Sequence, residues 1–140
     1  MRLTLEERIN DLIKRTDTSG ESMVELQKAT EELLLEAQES GERLLELRIL
    51  SLKANQLYLT GKHGEAQLLY EELVETTRKE NVTTFLPRLY LALGRLHSTE
   101  QRDVEALEYI RRSRIAAEEN GDDEMIAEGN LLLGITLAKS

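Results

Sequence analysis

Six side chains that suit the binding of carboxylates and peptide backbones recur in this sequence at a spacing of 40 residues. They form two series, Arg8, Arg48 and Arg88, and Arg15, Asn55 and Arg95. A guanidinium group can hold a carboxylate through two parallel hydrogen bonds, and an asparagine amide can both donate to and accept from a peptide backbone. Such chemistry needs a fold that brings each series to one surface.

Residues that support catalysis or metal binding are few in this sequence. There is no cysteine, which excludes disulfides, thiolate zinc sites and a cysteine nucleophile, and the two histidines cannot hold a metal without carboxylates. Adjacent glutamates such as Glu31 and Glu32 point in different directions on a helix, so they do not form a catalytic pair. We therefore expect no enzymatic activity, no metal and no cofactor.

Two further features have plain structural interpretations. The Gly-Lys pair within residues 61–64 lacks the upstream glycine of a phosphate-binding loop and follows a helix, so we interpret it as a turn that contains His63. His97 lies 40 residues from both Leu57 and Leu137, in an apolar register. We predict that His97 faces the core and has a local hydrogen-bond partner.

The composition favours helices and an acidic surface. Charged residues make up 32% of the chain and apolar residues 40%, with one proline. A net charge of -9 argues against a nucleic acid or an anionic membrane as the partner. The basic run 111–114 does not change this expectation, because Glu108 and Glu118 lie four residues from two of its arginines and predict local ion pairs. The first ten residues lack an apolar segment of signal-peptide length, so we expect a cytoplasmic location.

The elements that carry these residues are helices. Apolar residues recur at helical spacing along almost the whole chain, and six interruptions in that pattern predict seven helices. Thr4 with Glu7, and Ser22 with Glu25, have the spacing of a capping box, in which each side chain satisfies a backbone donor of the other residue. These pairs predict where the first two helices begin.

The chain repeats with a period of 40 residues. Two sets of residues recur at this spacing, one at predicted helix ends and one inside helices, namely Gly41, Asn81 and Gly121, and Ala54, Gly94 and Gly134. Members of the first set tolerate the left-handed conformation that closes a helix, and members of the second let a neighbouring helix approach closely. The period divides one predicted domain, 1–140, into units of about 1–40, 41–80 and 81–120 and a half unit, 121–140.

The even-numbered helices each carry one apolar stripe at spacings i, i+3, i+4, i+7 and i+11. The stripes consist of Leu26, Ala29, Thr30, Leu33 and Ala37, of Ala66, Leu69, Tyr70, Leu73 and Thr77, and of Ala106, Tyr109, Ile110, Ser113 and Ala117. A helix with a single stripe buries it against its neighbours, and repetition of such units predicts a solenoid. An ordinary helical bundle with evenly spaced loops is the alternative.

Part of this register resembles the tetratricopeptide repeat. The resemblance is carried by Ala54, Leu57, Ala66 and Tyr70, and again by Leu93, Gly94, His97, Ala106 and Ile110. It implies an all-α fold, a right-handed α-solenoid of antiparallel helix hairpins. The period of 40 is longer than the usual one in that family, and Lys14 and Leu26 replace the two small residues in the first hairpin.

In tetratricopeptide proteins the first helix of each hairpin lines a concave groove. The resemblance therefore implies that the two series of arginine and asparagine residues form columns across such a groove. Some members of the family hold acidic or carboxylate-ended peptides with lysine, arginine and asparagine at comparable positions, which implies an acidic peptide ligand and a role as a protein-interaction scaffold here. A structural ion-pair ladder between neighbouring units is the alternative explanation of the columns.

The last predicted helix is apolar on more than one face. Leu131, Leu133 and Leu137 predict an association surface, through which the chain self-associates or continues into a longer repeat array. A second function therefore stays open, that of a regulatory sensor or assembly module within a larger signalling protein or multi-subunit complex.

Overall fold

The computed structural model describes residues 3–139, and Met1, Arg2 and Ser140, at the outer limits of the predicted domain, lie outside this range. Within it the chain forms seven α-helices, which confirms the all-α prediction and the number of helices: α1 (Leu5–Thr18), α2 (Met23–Ser40), α3 (Arg43–Leu59), α4 (His63–Lys79), α5 (Leu86–Thr99), α6 (Asp103–Asn120) and α7 (Asp123–Lys139). A short 3-10 helix, Thr83–Phe85, precedes α5. None of the described helices is both long and apolar enough to cross a lipid bilayer.

The capping box predicted at the start of α1 is present, and the one predicted for α2 is not. The Thr4 hydroxyl oxygen accepts from the Glu7 amide at 3.1 Å, and a Glu7 carboxylate oxygen accepts from the Thr4 amide at 3.0 Å. The hydrogen bond from the Thr4 amide lowers the pKa of Glu7, because it favours the charged carboxylate, and the Thr4 side chain acts in the same direction. Ser22 is the residue directly before α2, and its side chain makes no capping hydrogen bond, so spacing alone did not create the second box.

A left-handed residue closes each helix from α2 to α6. Gly41, Asn81 and Gly121 have φ of 69°, 60° and 66°, which confirms the prediction for the 40-residue set. Gly61 and Gln101, midway between them, have φ of 80° and 60°. A left-handed residue therefore recurs every 20 residues, at the end of each of these helices. The left-handed conformation of Gln101 was not predicted, because glutamine rarely adopts it.

The chain forms two compact units, residues 1–69 and 70–140, whose boundary falls within α4. In the first unit, α1, α2 and α3 pack around one core. Its fully buried side chains include Ile9 from α1, Leu26 from α2 and Ile49 from α3. The predicted stripe of α2 faces this core, and its one hydroxyl is satisfied because Thr30 Oγ1 donates to the Leu26 carbonyl at 2.9 Å.

In the second unit, α5, α6 and α7 pack together. Ser113 Oγ donates to the Pro87 carbonyl at 2.8 Å, and Ile110 lies against Gly94, so α5 and α6 run antiparallel. A Cβ at Gly94 would lie 3.0 Å from Cγ1 of Ile110, which confirms that a small residue there permits a close approach. The expectation of a close helix approach is wrong at Gly134. This residue is exposed, and a Cβ there would meet no atom of a neighbouring helix within 4 Å.

Candidate functional site

Two of the predicted peptide-binding arginines hold carboxylates of the first unit. Arg8 Nη2 on α1 donates to Glu36 Oε1 on α2 at 2.5 Å. Arg15 holds Glu21 through two hydrogen bonds of 2.8 Å, from Nε and from Nη2, and also contacts Asp11 at 3.3 Å. These bonds raise the pKa of both arginines and lower that of Glu21 to about 2. Both guanidinium groups are therefore engaged within the fold.

The α3 members of the two series are partly buried. Arg48 Nη2 donates to Asn10 Oδ1, which links α3 to α1. Asn55 lies two turns further along α3 and is half-buried. Arg48 is therefore engaged within the fold, as Arg8 and Arg15 are. None of these contacts is an ion pair between neighbouring 40-residue units, which the ladder alternative requires.

The α5 members differ from all of these. Arg88 and Arg95 are exposed, with the half-buried Ala92 between them, and we call these three residues the α5 basic stripe. Their spacing of four and three residues places them on one face, with about 10 Å between the Cα atoms of the two arginines. Helix α5 contains no acidic residue, and neither arginine has an ion pair within residues 3–139. This stripe is a local basic surface in an acidic protein.

His97 lies in the core of the second unit, as predicted. It is 5% exposed, its Nδ1 accepts from Arg102 Nε at 2.8 Å, and its ring stacks on Tyr109 with centroids 5.3 Å apart. Because Nδ1 accepts a hydrogen bond, the ring is neutral with its proton on Nε2. Burial lowers the pKa of His97 and the charge of Arg102 lowers it further, against smaller opposing effects of Glu105 and Glu71.

Acidification should destabilise the protein through His97. Its folded pKa lies below the unfolded value of about 6.5, so its neutral form contributes stability above that pH, and this contribution is lost as the pH falls from about 6.5 through the folded pKa. Urea unfolding across this range should show a decrease in the free energy of unfolding that is absent in His97→Gln. The control His63→Gln should retain the decrease, and an equal pH dependence in wild type and His97→Gln would contradict the assignment.

The turn around residues 61–64 differs slightly from its prediction. His63 is the first residue of α4 rather than a residue of the turn, and its ring stacks on Tyr58 with centroids 5.0 Å apart. No group of three potential metal ligands occurs among the described residues. The local structure is that of a helix corner held by two aromatic rings.

The arginines of the basic run on α6 contact neighbouring residues of the same unit. Glu108 accepts from Arg111 at 2.7 Å and 3.1 Å and from Arg112 at 3.1 Å, which confirms the pair predicted with Arg112 and lowers the pKa of Glu108 to about 2. The pair predicted between Arg114 and Glu118 does not form within residues 3–139. The Arg112 guanidinium also lies over the Tyr109 ring, 5.4 Å from its centroid. Arg114 passes over Gly129, and its Cγ is 3.2 Å from where a Cβ would stand. The run is therefore not an open basic patch.

The predicted association surface on α7 is largely exposed. Leu131 is 66% and Leu137 is 52% exposed, whereas Leu133 is half-buried. Ile135, another apolar residue of the same helix, is 50% exposed. The opposite face of α7 is buried through Met125, Gly129 and Thr136, so this helix is packed on one side and apolar on the other.

The fold and these two surfaces define an all-helical protein with one basic helix face and one apolar helix face. Comparisons with models of known protein families, with curated proteins and with solved structures found no match. The tetratricopeptide resemblance therefore depends on the residues and spacings of this chain.

Proposed function

We propose that this chain is a protein-interaction scaffold of the tetratricopeptide-like kind, a right-handed solenoid of antiparallel hairpins, which binds an acidic peptide through the α5 basic stripe. The observation that supports the proposal is that Arg88 and Arg95 are accessible and uncompensated by acidic side chains of the described residues. Both are exposed and without an ion pair in the described part of a chain with a net charge of -9. An unpaired guanidinium offers a carboxylate two parallel hydrogen bonds without breaking an existing contact.

The proposal gives the six predicted residues different roles. Arg8 and Arg15 hold carboxylates of their own unit, and Arg48 joins α3 to α1. Binding by these arginines would first require loss of those contacts, which offsets the gain. The ligand contacts therefore fall to Arg88 and Arg95, and the half-buried Ala92 between them leaves room for a peptide backbone to approach the helix.

Reversing the charge of the stripe should remove peptide binding. On an array of acidic and neutral peptides, wild type should retain acidic peptides selectively. The variant Arg88→Glu/Arg95→Glu should bind these peptides at least about tenfold more weakly, because two charge-assisted contacts become repulsive. Neither arginine has a structural ion pair to lose, so the variant should keep its helical content.

The matched control is Lys14→Glu/Lys28→Glu. Both lysines are exposed, and the double substitution changes the net charge by the same amount in the other unit. Equal weakening by both double variants would show that net charge, not the stripe, governs binding, and the proposal would then be wrong. Raising the salt concentration should weaken the wild-type complex as well, because exposed charges are screened.

A regulatory or assembly module within a larger protein is the second candidate. The exposed apolar residues of α7, Leu131, Ile135 and Leu137, favour it, because large exposed apolar patches mark association surfaces. The two candidate functions predict different neighbouring domains in the full-length protein. An effector-binding or DNA-binding domain in the same open reading frame would favour the module.

A further inference from the structure

Two hydrogen bonds between the same two residues hold the corner that joins α5 to α6. The Arg102 amide donates to the His97 carbonyl at 2.8 Å, and Arg102 Nε donates to His97 Nδ1, also at 2.8 Å. We call His97 and Arg102 the corner pair. Between them lies Gln101, whose φ of 60° is a conformation that residues other than glycine rarely adopt. The corner is therefore strained at Gln101 and depends on the contacts that hold it.

The side-chain hydrogen bond of the corner pair exists only while His97 is neutral. Arginine does not lose its proton in proteins, so Arg102 Nε can donate and cannot accept. His97 Nδ1 accepts only as long as it carries no proton itself. Protonation of His97 would leave two donors and two positive charges facing each other across this contact. The two side chains must then separate.

The surroundings of the pair determine which side chain moves. His97 lies inside α5, is 5% exposed and stacks on the Tyr109 ring with centroids 5.3 Å apart. The face of an aromatic ring attracts a cation that lies over it, so Tyr109 retains a protonated imidazole. Arg102 lies outside both helices and is only half-buried. Arg102 is therefore the side chain that leaves.

The other ionisable groups around the pair lie on α4 and α6. Glu71 of α4 and Glu105 of α6 favour the charged form of His97, but burial and Arg102 outweigh them and keep its pKa below the usual value. Burial raises the pKa of Tyr109, which therefore stays neutral as His97 titrates. Glu105 is exposed and lies three residues after Arg102. It offers the released guanidinium an ion pair outside the core.

We infer that the corner pair is an acid-operated switch, which closes the α5–α6 corner while His97 is neutral and releases Arg102 when His97 is protonated. After release the strained conformation of Gln101 favours opening of the corner. The opening is local, because the pair and the carboxylates that face it all belong to the second unit. It is distinct from the loss of global stability expected on acidification, and it does not depend on peptide binding by the α5 basic stripe.

The Nε–H proton of Arg102, observed by nitrogen-15 NMR of the full chain, reports the state of the switch. At neutral pH its exchange with water should be at least about tenfold slower than that of the exposed Arg78, because His97 holds the proton. This protection should disappear as His97 titrates, with the same midpoint as the ring nitrogens of His97. The amide of Ile9, in the core of the first unit, should stay protected.

Arg102→Gln should remove the acid response while keeping a contact to His97. The glutamine amide lies as far along the side chain as the arginine Nε, and it can donate to neutral Nδ1 or accept from protonated Nδ1. Exchange of the backbone amides 100–103, corrected for the intrinsic effect of pH, should become about tenfold faster in wild type as His97 is protonated. It should stay constant in Arg102→Gln. The control Arg78→Gln, at an exposed site of the same unit, should respond as wild type does.

Three results would overturn the inference. Persistent protection of the Arg102 Nε–H after His97 is protonated would show that the two groups do not separate. Equal acid responses of the corner amides in wild type and Arg102→Gln would show that another group controls the corner. Loss of protection at Ile9 together with the corner would show global unfolding instead of a local opening. A loss confined to the corner, and abolished by Arg102→Gln, supports the switch.

Discussion

Replacing Gly94 by leucine should lower the free energy of unfolding by about 3 kcal/mol, the cost of strong overpacking in a closely packed interior. A Cβ alone would stand 3.0 Å from Ile110 Cγ1 and 3.5 Å from the α6 backbone. Ile110 is 1% exposed, so it cannot relieve the contact by turning into solvent. Leucine therefore forces α5 and α6 apart, which urea unfolding followed by circular dichroism would detect.

Gly134→Leu is the control at the same register 40 residues later. Because Gly134 has open space around it, leucine should there be neutral or should stabilise α7 by up to about 0.8 kcal/mol through its higher helix propensity. Similar losses at both positions would show that glycine is not needed for helix packing at Gly94. If Gly94→Leu does not fold, Gly94→Ala, which adds the Cβ alone, gives the comparison with Gly134→Ala.

The Leu34→Ala substitution should lower the free energy of unfolding by about 3 kcal/mol, because it removes buried atoms and leaves a cavity. Leu34 is 8% exposed and belongs to the core of the first unit with Leu12 and Leu52. Neighbouring helices are held by many such contacts and can close the cavity only in part. Chemical unfolding of the variant provides the measurement.

Its neighbour in sequence is a control with the same chemistry. Leu35 is 57% exposed, so Leu35→Ala should change the free energy of unfolding by less than about 0.5 kcal/mol. The two substitutions delete the same atoms one residue apart on α2. A large loss at Leu35 would mean that this side chain is covered in solution, for instance by a partner.

The helices and their corners could be predicted from the sequence because their causes are local. Gly41, Asn81 and Gly121 are left-handed where the period placed them, and the stripe of α6 is buried as its spacing required. The glycine register shows the limit of this reasoning. Gly94 and Gly134 occupy the same position in the 40-residue repeat. Only Gly94 of the two has a helix packed against it, because packing depends on the presence of a neighbour.

The candidate site was less predictable because arginine partners are distant in sequence. Arg8 pairs with a glutamate 28 residues away, and Arg15 pairs across a loop with Glu21. Spacing rules for helix surfaces see only partners three or four residues away. The open state of Arg88 and Arg95 had a local signal, since α5 contains no acidic residue at all.

Two hydrogen bonds between helices each connect segments of a single compact unit. Ser113 to Pro87 spans 26 residues and Gln56 to Thr16 spans 40, each within one unit. Contacts confined to part of the chain close smaller loops than contacts between its two ends, which lowers the entropic cost of forming them. During synthesis, the core of the first unit could therefore form once that unit has left the ribosome, before the second unit is complete.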